Sequence, residues 1–316
     1  MPCGCLGGVS EKGLISVTSN MADDVRVNIL GISQDGGFPQ AGCNAKCCEI
    51  VKDVPALRKH PVSLGITGTD GSRHLIEVTR DLAWQLNLWN NVDFSEGKAL
   101  SSAFITHAHL GHIDGLGLFG KEVMNVKRLN LNCSKILEKL IFNTPRWNLL
   151  VKSGNITVNP FQNNVAFFPS KNCGFKIKPI KIPHRAELSD MHAFLIQGPK
   201  KNLLFLPDHD SWDETLTHVK KNTIREWFKS EKIDIALIDG TFWSSTELVG
   251  RDISKIPHPT VVESLELLGH KNESSFDLKF IHLNHTNPLL DDKSVELKKV
   301  NTMGWDIAKE GESFII

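Results

Sequence analysis

The 316-residue sequence predicts an α/β protein, and two observations carry that expectation. Short apolar runs of strand length, each ended by turn or polar residues, recur from Val25 onward. Segments with helical patterning lie between several of them, the alternation that builds layered α/β folds. The predicted strands are Val27 to Ile32, His74 to Val78, Ser102 to Ile105, Leu203 to Leu206, Ile233 to Ile238, and Phe280 to Ile281. The predicted helices are Arg80 to Leu88, Ile113 to Met124, Ser134 to Phe142, Thr223 to Phe228, and Thr260 to Leu268. Residues 1–22 are rich in Gly and Ser with no sustained period, so they are expected to form a flexible tail, and residues 23–316 one domain. In that tail Cys3 and Cys5 are conceivable acylation sites, but Pro2 stands where myristoylation needs glycine.

Composition narrows the function. The chain is 41% hydrophobic and 23% charged, with 36 Lys+Arg against 36 Asp+Glu, an ordinary globular balance without the basic excess of a general polyanion binder. Nucleic acid and membrane are therefore not expected partners, and a small-molecule substrate is. No run approaches the roughly 18 apolar residues of a membrane span, and the first twenty residues lack the order of a signal peptide, so the expected location is cytoplasmic. Seven cysteines crowd toward one end rather than forming an even disulfide framework, and thirteen histidines fall partly in tight clusters, a combination that points to metal.

The strongest local signal is Thr106-His107-Ala108-His109-Leu110-Gly111-His112-Ile113-Asp114-Gly115, which directly follows a predicted strand. Imidazoles two apart on an extended loop share a side and can converge on one cation, and strand ends are where α/β proteins place their sites. His184, Asp208 and His282 occupy similar strand-end positions. Each alone reads more readily as a hydrogen-bonded cap or core residue, but with the triplet they form a candidate metal site whose donors suit Zn, Fe or Mn better than Ca or Mg. Cys43, Cys47 and Cys48 place three thiols within six residues, a candidate structural zinc site whose fourth donor the sequence does not identify. A disulfide or free thiols are the plainer alternative. The tryptophans read as packing, with Trp212 and Trp243 as candidate substrate contacts, and Phe38 in the Gly36-Gly37 turn as a wall of the metal cleft.

The order of these motifs resembles the metallo-β-lactamase-fold superfamily: a His-x-His loop, a later His, an Asp after a strand, and a final His. Within it, Leu30 to Gln40 followed by Cys43, and Phe280 to Pro288, resemble the two terminal signatures of the pyrroloquinoline-quinone (coenzyme PQQ) biosynthesis protein B group. The resemblance implies a four-layer αββα sandwich and a zinc cysteine cluster. It also implies one metal position of His107, His109 and His184 and a second of His112 and His282, with Asp208 bridging. Gly111 stands where the superfamily carries Asp, so the second position is expected to have at most three protein ligands, and an Asp at 111 to raise its occupancy. His285, where that group commonly has Asn, ranks first as a catalytic proton donor and His258 second. His209, Asp210 and Asp239 are candidates for orienting ligands, and Asp114 for opening a helix, where a carboxylate is favoured.

Two enzymatic readings follow. The first is a metal-dependent hydrolase of a small ester, lactone or phosphodiester that uses a water ionised by one or two catalytic metals, zinc in the first instance. The second is an iron-dependent hydroxylase of the protein B type that acts on a tyrosine-derived peptide. A metal-binding scaffold without activity, left by the missing Asp at 111, is the weakest reading, since it gives the other ligands no reason to persist.

Overall fold

The computed structural model describes residues 24–93, 99–185, 187–248 and 256–316. The tail predicted for residues 1–22, with Cys3 and Cys5, lies outside the described residues.

Two sheets face each other. One contains β1 (Arg26–Gly31), β2 (Ser63–Thr67), β3 (Arg73–Ile76), β4 (Leu100–Phe104), β5 (Leu129–Cys133), β6 (Ile156–Pro160) and β13 (Ser313–Ile315), in the order β13-β1-β2-β3-β4-β5-β6. The other contains β7 (Lys176–Ile182), β8 (Met191–Gln197), β9 (Asn202–Leu206), β10 (Ile235–Asp239), β11 (Asp277–Ile281) and β12 (Asp306–Ile307), in the order β12-β11-β10-β9-β8-β7. Strands β3 to β6 are parallel, as are β9 to β12, so the carboxyl ends of β4, β9, β10 and β11 can each deliver a loop to the site.

Side-chain alternation explains the layering. Ile76 and Phe104 face the inter-sheet core with Phe194 and Phe205, whereas their neighbours Leu75 and Ala103 point to the other face. On that outer face lie α2 (Leu82–Val92), α4 (Lys135–Asn143) and α5 (Pro145–Lys152), which bury Leu82, Trp89, Leu137, Ile141 and Trp147. The second sheet is covered by α6 (Trp212–His218), α7 (Ile224–Ser230) and α8 (Val261–Leu268), which contribute Trp212, Trp227, Phe228 and Leu265 to the larger core. The result is the four-layer αββα sandwich. No helix among the described residues is long and apolar enough to cross a membrane.

Several expectations shift in detail. Ser134, Thr223 and Thr260 are N-caps rather than first helical residues: each side chain accepts the backbone N–H three positions on, at 3.1 Å in all three. The helix predicted over Ile113 to Met124 does not form. The chain makes one turn, α3 (Leu110–Ile113), then a 3-10 segment over Asp114–Phe119. Gly115 enables this close packing, because a Cβ there would strike the Thr79 carbonyl. Asp114 sits at that junction and pairs with Arg146. β2 carries a weak strand signal because its central residue, Gly65, leaves room for the Trp89 ring.

Candidate metal centre and thiol cluster

The loop after β4 carries Thr106 to His112, and its geometry is fixed by a buried carboxylate. Glu77, immediately after β3, accepts from Thr106 Oγ1 at 2.5 Å and from the Thr106 backbone N–H at 3.3 Å, and its Oε1 lies 3.1 Å from His112 Nδ1. Glu77 and His282 both adopt left-handed φ, +66° and +65°, a region non-glycine residues seldom occupy. Both follow strand ends directly, and the turn re-aims each side chain toward the centre.

Two groups result. In the first, one ligand-capable atom from each of His107, His109, His184 and Asp208 lies within 4.8 Å of the others. The second holds Asp35, His112 and His282 on the same criterion. Asp208 stands between them, its Oδ2 3.1 Å from His112 Nε2, 3.5 Å from His282 Nε2 and 3.6 Å from His107 Nε2. Asp35 Oδ1 is 3.2 Å from His112 Nε2 and 3.7 Å from His282 Nε2.

The hydrogen bonds around this centre dictate ring tautomers. Thr106 gives its hydroxyl proton to Glu77, so His107 Nδ1–H must donate to Thr106 Oγ1, at 2.9 Å, which leaves Nε2 with a lone pair. The same relay operates at His282: Thr241 donates to Asp239 Oδ1 at 2.7 Å, so His282 Nδ1–H donates to Thr241 Oγ1 at 2.9 Å. His184 Nδ1 reaches Asp210 Oδ1 at 3.0 Å, and His109 Nε2 reaches Glu187 Oε2 at 3.0 Å. Each outer partner turns an unprotonated nitrogen inward.

His184 Nε2 and His109 Nδ1 lie 3.3 Å apart, and the other inward atoms are left without hydrogen-bond partners. His107 Nε2, His112 Nε2, His282 Nε2, Asp208 Oδ2 and Asp35 Oδ1 are all buried and unsatisfied. Buried polar atoms are nearly always paired, so five orphans facing one space fit a cation that the surrounding donors would coordinate. The donor set, imidazoles plus carboxylates, suits a divalent transition metal.

Electrostatics agrees. Burial alone would raise the Asp208 carboxyl, but the His282, His184, His112 and His258 rings hold it well below the usual carboxylate range. Burial likewise opposes a charge on His112, yet Glu77, Asp208 and Asp35 raise it well above the ordinary imidazole value. His107, which faces other histidines in a fully buried setting, is pushed well below that value. The field that draws a proton to His112 is one that would hold a cation in its place.

His258 enters beside Asp208. Its Nδ1 is 2.8 Å from Asp239 Oδ2 and 3.3 Å from Asp208 Oδ1. Desolvation lowers it, but Asp239 and Asp208 outweigh this and raise it to about 9. Asp239 is thus tied to the site through His258 and Thr241, and Asp210 holds His184. His209 does not touch the centre; its Nδ1 meets Thr215 Oγ1 at 2.9 Å.

Four expectations are corrected. His285, ranked first as proton donor, faces the thiols instead: its Nδ1 is 3.3 Å from Cys48 Sγ and 3.7 Å from Cys47 Sγ. Cys43, Cys47, Cys48 and His285 form a four-donor group, which provides the fourth donor that the sequence did not identify. Phe38 packs on Cys48 and Val51 under this cluster rather than lining the histidine centre, and Trp212 is fully buried against Ser264 and His209 rather than open to substrate. Trp243 is only partly buried and lies under Lys299. At Gly111, the expected benefit of an Asp fails sterically, since a Cβ there would strike both the Asp35 carboxylate and the Asp35 Cα.

The thiols sit around α1 (Lys46–Asp53), which carries Cys47 and Cys48 in its first turn. Burial raises Cys48 to about 12 despite the Gln40 N–H that approaches it at 3.4 Å. Cys43 goes the other way: burial opposes ionisation, but the Ala45 backbone, the other thiols and Lys52 lower it.

Comparison with known proteins places this geometry. A family model described as a beta-lactamase superfamily domain matches residues 78–282. A coenzyme PQQ synthesis protein B from Nitrosococcus oceani is 22% identical and covers 92% of this chain and 99% of its own length. One from Azoarcus is 23% identical, with 91% and 98% covered. Among solved structures, Zn(2+)-bound PqqB from Methylobacterium extorquens has a TM-score of 0.74 at 17% identity, covering 92% of this chain and 100% of that one. A diphosphatase from the PhnP family has a TM-score of 0.61 at 17% identity, covering 93% and 97%.

Proposed function

Since the chain belongs to the beta-lactamase superfamily, we propose that it is a metal-dependent hydrolase of a small ester, lactone or phosphodiester, with His107, His109, His184 and Asp208 at one cation position and His112, His282 and Asp208 at the next. The observation that carries this reading is the set of buried, unpartnered nitrogens converging on the shared Asp208 carboxylate. Divalent cations there would lower the pKa of water from about 15.7 toward about 7 and polarise an ester or phosphoryl oxygen. The protein's own residues do the rest. Thr106, Thr241, Asp210 and Glu187 hold the imidazole lone pairs inward, and Glu77 anchors the loop that presents three of the histidines. His258, held by Asp239 at 2.8 Å, is positioned beside Asp208 to give a proton to the departing oxygen.

The thiol cluster with His285 is assigned to a structural zinc, since four donors close the shell and leave no position for substrate. The diphosphatase neighbour supports a phosphorus ester among the candidate substrates, and the balanced net charge supports a small one.

A second reading is favoured by the curated relatives, which are named for coenzyme PQQ synthesis; with the sequence resemblance above it gives iron-dependent hydroxylation of a tyrosine-derived peptide. His285 stands where that group commonly has Asn, and the His107, His109 and His112 triplet favours the hydrolase. In the fold His285 lies among the thiols, outside the histidine centre. Metal analysis of protein purified without chelators, followed by turnover assays, tests both. Zinc at the histidine centre with hydrolysis of a model phosphodiester or ester, lost in His107→Ala, supports the hydrolase. Iron there with substrate-dependent oxygen consumption and no hydrolysis would replace it with the hydroxylase.

A further inference from the structure

The second cation position has an acidic residue that sequence motifs do not announce. We propose that Asp35 is a protein donor of that position, delivered by the amino-terminal loop into space that exists only because residue 111 is glycine. The inference rests on the metal-centre reading above and adds a ligand to it.

Three observations converge. Asp35 Oδ1 is buried and without a hydrogen-bond partner, although 38% of the side chain meets solvent, and it points at the two histidines of the second group, 3.2 Å from His112 Nε2 and 3.7 Å from His282 Nε2. A side chain at 111 and this placement of Asp35 exclude each other, because a Cβ on Gly111 would overlap the Asp35 carboxylate and Cα. The loop is also pinned to the segment that carries His282. Gln34 N–H donates to the Leu283 carbonyl at 2.9 Å, Leu283 N–H donates to the Ile32 carbonyl at 2.8 Å, and Ser33 bridges to Leu283. Asp35 and His282 are therefore held in register by backbone, as two ligands of one ion need to be. With Asp208 shared between the positions, the second gains a donor set of two imidazoles and two carboxylates, the four-coordinate arrangement a zinc-like cation accepts.

The test is metal content and affinity rather than turnover. Wild type, Asp35→Asn, Asp35→Ala, Gly111→Ala and, as the control for the first position, His109→Ala are purified from the full chain, checked for a native melting transition, dialysed against zinc of set concentration and assayed for bound metal. Asp35→Asn keeps the volume of the carboxylate, so folding is preserved while the anionic donor is removed. It is expected to weaken the second position by more than the roughly 10–100-fold that loss of an outer partner costs, and so to shed about one equivalent while the thiol and first positions stay filled. Gly111→Ala should reproduce that loss with Asp35 still present, because the added methyl displaces it. Wild-type stoichiometry and affinity in Asp35→Asn, alongside metal loss in His109→Ala, would overturn the Asp35 assignment and leave the metal-centre reading standing. Retention of all metal in His109→Ala as well would sink that reading instead.

Discussion

The histidine centre, two donor groups that share Asp208, and the four-donor thiol cluster are supported differently. Around the histidine centre His107, His184 and His282 are fixed twice: by a place just past a strand end and by a partner on the outward nitrogen, Thr106 on His107, Asp210 on His184 and Thr241 on His282. The thiols instead ride on an eight-residue helix whose N-cap, Ala45, offers no side-chain bond, packed on Phe38 and Val51. So short a helix is marginal by itself. The difference teaches that the two groups stand in opposite relation to their metal. The histidine centre is shaped by the fold and would receive a cation with little rearrangement, whereas the thiol cluster shapes its own segment only once its donors are drawn together.

The sharpest way to break this comparison is Asp208→Ala. Removing the carboxylate shared by both groups should cost at least about 10³-fold in kcat/KM, the equivalent of several kcal/mol of lost metal-centred stabilisation. It should also empty the centre of metal with the melting transition nearly unchanged, because strand ends and outer hydrogen bonds remain. A variant that unfolds would show the centre to be as metal-dependent as the thiols. His258→Gln should cost roughly 10²-fold or more in turnover with metal content intact, the usual range for a lost proton donor. Loss of metal instead would make His258 a ligand, as its place near Asp208 and His282 also permits.

Cys48→Ser examines the other side. It should release zinc from the thiol cluster and expose residues 43–53 to protease and to fast hydrogen exchange, while the first cation position keeps its affinity. Uniform loss of stability across the chain would mean that the cluster supports the whole sandwich rather than its own segment.

What the sequence revealed follows the same division. His107, His109 and His112 are legible because they lie within six residues after an apolar run, and His184, Asp208 and His282 because each ends a strand. Asp35 and Glu77 join the centre across folds of the chain that no local pattern encodes. Asp35 meets a glycine 76 positions away, and Glu77 meets a threonine 29 positions away. His285 was misplaced for the converse reason. Three residues from His282, it was expected to share its site, but the turn closed by the Asn287 N–H on the Asn284 carbonyl, at 2.9 Å, follows a left-handed residue at His282, and the two rings serve different groups. The helix expected over Ile113 to Met124 gives way to a 3-10 segment in which Gly115 serves close packing on the Thr79 carbonyl rather than helical periodicity.

The smallest effect is the most discriminating. Asp210 touches no inward-facing atom of the centre; it accepts from His184 Nδ1 at 3.0 Å and from the Arg185 backbone N–H at 2.9 Å. Burial would raise its carboxyl, but His184 and the Arg185 N–H hold it below the usual range, so at neutral pH it is an anion that fixes the His184 tautomer. Asp210→Asn preserves the shape and removes the charge. If the outer shell pre-shapes the centre, this change should weaken metal at the first position by roughly 10–100-fold, leave the thiol zinc untouched and keep the melting transition of the metal-free protein. Competition against a chelator of known affinity reads the first effect, and calorimetry of the metal-free chain the last. An unchanged affinity would mean that strand-end placement alone orients His184, so that the centre owes its shape to the two sheets and not to its ring of outer hydrogen bonds.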